Sequence, residues 1–224
     1  MPTPSAASTG TSSATSLTVA HTVSGSNKVL VACLCYGKSA ASLSTSPTFN
    51  SVAMTLAKRQ TSGSGTSKRT ADVWYLIAPA DATANFVATF DATVDSFVAI
   101  TTLTSAAQAS VVRGTGGQST STEDASATVL SESTDLVVDA LTQITDDSLS
   151  DHVPGSGQTQ LGDTVSASIR GSGSYKTGAA GSTTMIWSVD EGASESHNLV
   201  LAAASFKHQV GGSTTGGPRS MVIN

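Results

Sequence analysis

Lys28-Val-Leu-Val-Ala-Cys-Leu-Cys-Tyr36 is apolar at almost every position and lacks the three-to-four spacing of an amphipathic helix. Just before it, in Leu17-Thr-Val-Ala-His-Thr-Val23, Leu17, Val19, His21 and Val23 alternate with Thr18, Ala20 and Thr22. A period of two puts the first set on one face of a strand and the second on the other. Ser24-Gly-Ser-Asn27 supplies a turn between the segments. The pair therefore reads as a half-buried strand leading into one buried on both faces, central in a sheet.

The same reading extends along the chain. Further strands are expected over 48–60, 69–77, 84–91, 95–104, 125–131, 135–144, 164–170, 182–190 and 197–207. Turn-rich breaks separate them at Ser62-Gly-Ser-Gly65, Ala78-Pro-Ala-Asp81, Gly114-Thr-Gly-Gly117 and Gly171-Ser-Gly-Ser174. No segment carries a helical stripe with capping residues. About ten to twelve short, closely spaced strands predict an all-β protein, an antiparallel two-sheet β-sandwich with jelly-roll arrangement. The expected division is an N-terminal arm over 1–16, one sandwich domain over 17–208, and a Gly-rich C-terminal arm over 209–224.

Composition narrows the function classes. Ser and Thr make up about 31% of the 224 residues, charged residues 12% and aromatic residues 4%. Helical bundles and coiled coils need far more Leu, Glu, Lys and Arg, and charge-driven disorder needs more than a net charge of −5. Eleven scattered Lys and Arg form no basic stripe, so nucleic acid is not an expected partner. No apolar run approaches the roughly 18 residues of a membrane span. The first ten residues have neither a basic nor an apolar region of the secretory kind, so the expected site of synthesis and assembly is a cytoplasm. Cys33 and Cys35 lie two apart, on one face of a strand, and read as buried free thiols.

Sites of chemistry are sparse. His21 falls on the apolar face of its strand and is expected to be hydrogen-bonded there. His152 ends Asp146-Asp-Ser-Leu-Ser-Asp-His152, whose three carboxylates could hold Ca²⁺ but fit a solvated turn better, because the spacing of a calcium loop is missing. His197 and His208 flank the last strand with no carboxylate at catalytic spacing. Gly63-Ser-Gly65 and Gly171-Ser-Gly173 lie between strands, outside the strand-to-helix context of a nucleophile elbow. Gly171-Ser-Gly-Ser-Tyr-Lys-Thr-Gly178 lacks the Gly-Lys-Ser/Thr order of a phosphate loop. A glycosidase needs two carboxylates placed in a cleft, and Glu123 with Asp124 and Glu191 with Glu195 are candidates only because the chain has few Glu; loop position explains them equally well. No catalytic residue, cofactor site or metal site is assigned, and the protein is not expected to be an enzyme. Trp74 and Trp187, each among aliphatic residues, are expected core anchors. Tyr36, Tyr75 and Tyr175 are the candidates for a glycan-stacking platform.

Ser16-Leu-Thr-Val-Ala-His-Thr-Val23, Lys28-Val-Leu-Val-Ala32, Asp72-Val-Trp-Tyr-Leu-Ile-Ala-Pro79 and Gly181-Ser-Thr-Thr-Met-Ile-Trp-Ser188 together resemble a jelly-roll β-sandwich family of bacteriophage virion proteins and bacterial surface domains. The resemblance covers residues 16–207 and carries no catalytic residues. It implies a non-enzymatic structural protein of the virion, a capsid decoration or cement protein assembled in the host cytoplasm. Its implied partners are the major capsid protein or another virion protein, together with further copies of itself in a trimer. The terminal Pro218-Arg-Ser-Met-Val-Ile-Asn224 could add a strand to a partner through Pro218, Met221, Val222 and Ile223. Carbohydrate-binding or adhesion modules, and tail tube or fibre components, are the alternatives.

Overall fold

A computed structural model describes residues 1–37, 40–144, 151–189 and 198–209. Within them the chain forms strands joined by turns, with a single 3-10 turn at Gly65–Ser67. No helix among the described residues is long and apolar enough to cross a membrane.

The first half contains β1 (Thr3–Pro4), β2 (Ser8–Val23), β3 (Val29–Gly37), β4 (Thr48–Phe49), β5 (Val52–Ala53), β6 (Thr55–Ser62), β7 (Arg69–Ile77) and β8 (Ala82–Thr104). β2 and β8 are long antiparallel partners that run through two sheets. Ser8–Ala14 pair with Val94–Ile100, and after a register shift Ser16–Val23 pair with Ala82–Thr89. The later part of β8 also pairs with β3, β3 with β7, and β7 with β6, completing a large sheet. The earlier part of β8 pairs with β4, completing a small one.

The second half contains β9 (Val112–Thr120), β10 (Asp124–Ser131), β11 (Leu136–Ile144), β12 (His152–Pro154), β13 (Thr159–Ser166), β14 (Ile169–Thr177), β15 (Gly181–Val189) and β16 (Asn198–Phe206). Its large sheet has the order β13-β14-β11-β16-β9 and its small sheet the order β10-β15-β12. Apart from β1 and β5, which have no counterpart, the first half's pairings recur here, with β9 and β10 in the place of β2, β12 in the place of β4, and β15 and β16 in the place of β8. The registers also match. Val29 stands opposite both Ile77 and Leu103, and Leu136 stands opposite both Thr177 and Phe206. The chain is an internal duplication.

The core follows from the alternation along the central strands. On β3, Leu30, Ala32, Leu34 and Tyr36 face the first half's own small sheet, where Leu17, Phe86 and Phe90 meet them beside Trp74 of β7. Val29, Val31, Cys33 and Cys35 face the other way, into a central layer with Leu136, Val138, Ala140, Val200 and Phe206. The remaining face of β11, through Val137 and Leu141, packs on Met185 and Trp187. Four sheets are thus stacked small-large-large-small, so the large sheets are buried on both faces. In the central layer β3 lies on β11, β6 beside β9, and β13 beside β2 and β8, a pseudo-two-fold arrangement.

The antiparallel sandwich matches the sequence reading, and two details differ. The second half has five strands and three, because β13 pairs with β14 in the large sheet as β6 pairs with β7 in the first half, where the jelly roll expected from the sequence would place that strand in the small sheet. The expected N-terminal arm is sheet. Thr3 and Pro4 pair with Thr104 and Leu103, and residues 8–14 form the ladder on the outer edge of β8. That edge lies in a buried sheet and needs its backbone groups bonded, and Ser and Thr suit a strand with one wet face as well as they suit a loop. Of the C-terminal arm, Gln209 donates its backbone N–H to Ser105 O at 2.8 Å, and Pro218, Met221, Val222 and Ile223 lie outside the described residues.

Candidate functional site

The sequence-nominated side chains are scattered, and most are absorbed by the fold. His21 is buried, with Nδ1 2.9 Å from Ser8 Oγ and Nε2 3.0 Å from Thr102 Oγ1. It ties β2 to β8, and burial lowers its pKa. His208 Nδ1 lies 2.9 Å from Ser105 O. His197, Glu191, Glu195, Asp146 and Asp147 lie outside the described residues. Asp124 opens β10 on the solvent side. The Gly171–Gly178 segment is strand β14 and its end. Cys33 and Cys35 are buried free thiols. Burial pushes the Cys35 thiol up to about 12, and its Sγ lies 3.1 Å from Leu141 O.

Trp74 and Trp187 are both buried, and each has a partner that the sequence reading missed. Trp187 Nε1 donates to Asp139 Oδ2 at 2.8 Å, inside the second sandwich. Asp139 also accepts from the Ser174 backbone N–H at 2.9 Å and from its hydroxyl at 2.8 Å. Burial without a cationic partner raises this carboxyl to about 7. Trp74 Nε1 donates to Asp72 Oδ2 at 3.0 Å, and Arg59 holds both Asp72 oxygens, at 2.8 and 2.7 Å. The available signal was an Asp inside an apolar run, as in Leu136-Val-Val-Asp-Ala-Leu141.

One cluster joins serine, histidine and aspartate. His152 Nδ1 lies 2.5 Å from Ser172 Oγ, which lies 2.8 Å from Asp163 Oδ1. Arg170 grips Asp163 through Nε and Nη2 at 2.7 and 2.6 Å, and its Nη1 reaches Asp151 at 2.8 Å. The hydroxyl stands between ring and carboxylate, whereas a nucleophilic triad needs the ring between hydroxyl and carboxylate. Burial also drives the His152 ring down to about 3, so it is a poor base near neutrality. The cluster works as a pin joining β12, β13 and β14 through Nδ1, while Nε2 reaches Gln143 on β11 at 3.0 Å.

No group of three His, Cys, Asp or Glu among the described residues is arranged to hold a metal. All ten aromatic side chains lie within the described residues and none is exposed. Tyr36 is buried against Phe90, while Tyr75 and Tyr175 lie half-buried against the central layer. Concave surface is found at the turn between β4 and β5. On one side, Phe49, Val52, Leu76 and Pro79 line an apolar cleft of about 270 Å³. On the other, Thr48, Ser51, Thr83 and Asn85 line a polar groove of about 420 Å³, and Asn50 borders both. Comparisons of the chain with protein families, with curated proteins and with solved structures find no match.

Proposed function

We propose that the protein is a non-catalytic structural component of a bacteriophage particle, a cement protein that bridges neighbouring subunits of the capsid. The observation that carries this reading is the duplication. Because the large sheets bury each other, the two small sheets face outward on opposite sides of the stack. Each presents a weakly charged, hydroxyl-rich surface. Thr18, Ala20, Thr22 and Thr83 are exposed on the first, and Ser126, Thr128, Leu130 and Ile186 are solvent-facing on the second.

Two related faces on one rigid body can engage two related surfaces of a repeating lattice, and the second contact then forms at high effective concentration. The bridge needs no chemistry, only complementary area and a body that resists deformation. Electron cryomicroscopy of purified particles tests the reading. A two-lobed density spanning adjacent capsid subunits is the expected result, and particles stripped of it should open at lower temperature. Absence of the protein from purified particles would refute the proposal.

A further inference from the structure

We infer that the outer face of the small sheet β10-β15-β12 is a docking surface for a protein whose contact patch is apolar at its centre and bordered by lysine or arginine. On the cement reading above, on which this rests, that protein is the capsid subunit, and this face supplies a stronger contact than its counterpart in the first half.

The duplication provides an internal reference for what the fold requires. Gly155 N–H bonds to Ile186 O as Asn50 N–H bonds to Asn85 O. The hydroxyls of Thr128 and Thr184 meet at 3.0 Å as those of Thr22 and Thr83 meet at 2.8 Å. The two outer sheets therefore correspond residue by residue, and Leu130, Val153 and Ile186 stand where the first has Ser24, Thr48 and Asn85. The exchange runs the other way once, with Ser188 in the place of the half-buried Val87. Polar side chains close the first sandwich at the three positions, so the fold does not need apolar ones there. Yet Leu130, Val153 and Ile186 are 59%, 47% and 41% exposed. Exposed apolar residues scattered singly call for no explanation, but three on one small sheet, each replacing a polar counterpart, mark a contact surface.

The polar groups of this sheet are also satisfied from within. Gln118 Oε1 accepts from Ser126 N–H at 2.5 Å, Gln158 Oε1 accepts from Ile186 N–H at 2.6 Å, and the Thr128 and Thr184 hydroxyls bond each other. A partner can cover the face without stranding these groups. In the first half Gly10 takes the place of Gln118 and offers no such cap.

Charge selects the occupant. β10, β12 and β15 carry no lysine or arginine. Asp124 lies at one end of β10, Glu132 two residues beyond Leu130, and Asp151 two residues before Val153, all exposed. Asp151 is paired with Arg170, whereas Asp124 and Glu132 form no ion pair among the described residues. A second copy would bring the same carboxylates to this border, and anionic lipid or nucleic acid would be repelled by it. A basic border on a partner protein complements it.

The test is re-addition of purified protein to particles stripped of it. Leu130→Ser, Val153→Thr and Ile186→Asn together install the first sheet's residues, so the triple variant should keep its unfolding midpoint. Its affinity for stripped particles should fall at least about a hundredfold, because the apolar burial at the contact is lost. Ala20→Glu, which charges the first outer face, should cost less. Asp124→Lys is a second arm at an exposed position, expected to weaken binding about threefold and to flatten its salt dependence. Equal binding by the triple variant, a greater loss from Ala20→Glu, or undiminished binding by Asp124→Lys would overturn the inference and leave the cement reading standing. So would a dimer of the unsubstituted protein in sedimentation that the triple variant abolishes, since a second copy would then be the occupant. Absence of the protein from purified particles would remove the reading and the inference together.

Discussion

Asp139 and His152 lie in the same half of the molecule, and burial acts on them in opposite senses. Folding raises the Asp139 carboxyl from 3.8 to about 7, so between those values the native state keeps a proton the unfolded chain would release. Stability from this group is present at low pH and is lost as pH rises through the window. Folding lowers the His152 ring from 6.5 to about 3, so there the unfolded chain takes a proton that the native state refuses. Its contribution is lost as pH falls. Burial pushes Asp135 and Asp163 up, but their hydrogen bonds from arginine and serine and the nearby positive charge together outweigh it and leave both below 3.8, outside most of that window. Burial also raises Asp72 and lowers His21, adding one contribution of each sign, so the opposed contributions predict a nearly flat stability profile from pH 4 to 6.5. Asn at 139 should unmask the histidine, so that the unfolding free energy of Asp139→Asn falls on acidification with a slope approaching about 1.4 kcal/mol per pH unit. His152→Gln should show the reverse slope. Urea unfolding across this range is the check, and variant curves parallel to the unsubstituted protein would remove the compensation. Asp72 and Asp139 could be seen as strand residues in the sequence. Their roles could not, because Asp139 meets Trp187 48 positions away.

Among the elements, β2 changes most between sequence and structure. Leu17–Val23 was legible from its alternation, but the strand runs back to Ser8 through a segment whose composition resembles a linker. Residues 1–14 are therefore part of the fold. Their deletion would strip the ladder from the edge of β8, together with the bonds of Thr101 Oγ1 to Ser5 O and Ser96 Oγ to Ser12 O. A loss of at least about 3 kcal/mol in denaturant unfolding is expected, since several buried backbone groups lose their partners at once. An unchanged midpoint would make the segment a dispensable arm. Glycine misled the reading in two other places. Gly114–Gly117 and Gly171–Ser174 look like breaks, yet both lie inside strands, β9 and β14. A Cβ on Gly116 would stand 2.5 Å from Thr128 O, and one on Gly171 2.5 Å from Phe97 Cδ1. These glycines serve close approach between layers, which no local pattern reveals. The strand expected over 164–170 likewise straddles the turn between β13 and β14, and the 84–91 and 95–104 strands are a single β8.

At the scale of the whole molecule, the sandwich class was legible and the duplication was not. Aligned by their pairing, Val29–Gly37 and Leu136–Ile144 agree only at Val31 with Val138 and Leu34 with Leu141. The tryptophans gave no hint of a repeat, because Trp74 sits on β7 and Trp187 on β15, strands that do not correspond. What the halves share is pairing order, which is a property of long-range contacts. Cutting the chain within 105–111 should therefore give two fragments that co-purify when expressed together. Alone, each would bare the apolar face of its large sheet and self-associate, which size-exclusion chromatography would show. Two independently monomeric fragments would contradict the central layer as the main bond between halves. The same layer holds Cys33 and Cys35, fully enclosed between the sheets. A thiol there meets an alkylating reagent only when the halves part, so the rate at which the two cysteines are modified is a built-in clock for the breathing of the molecule along its pseudo-two-fold seam.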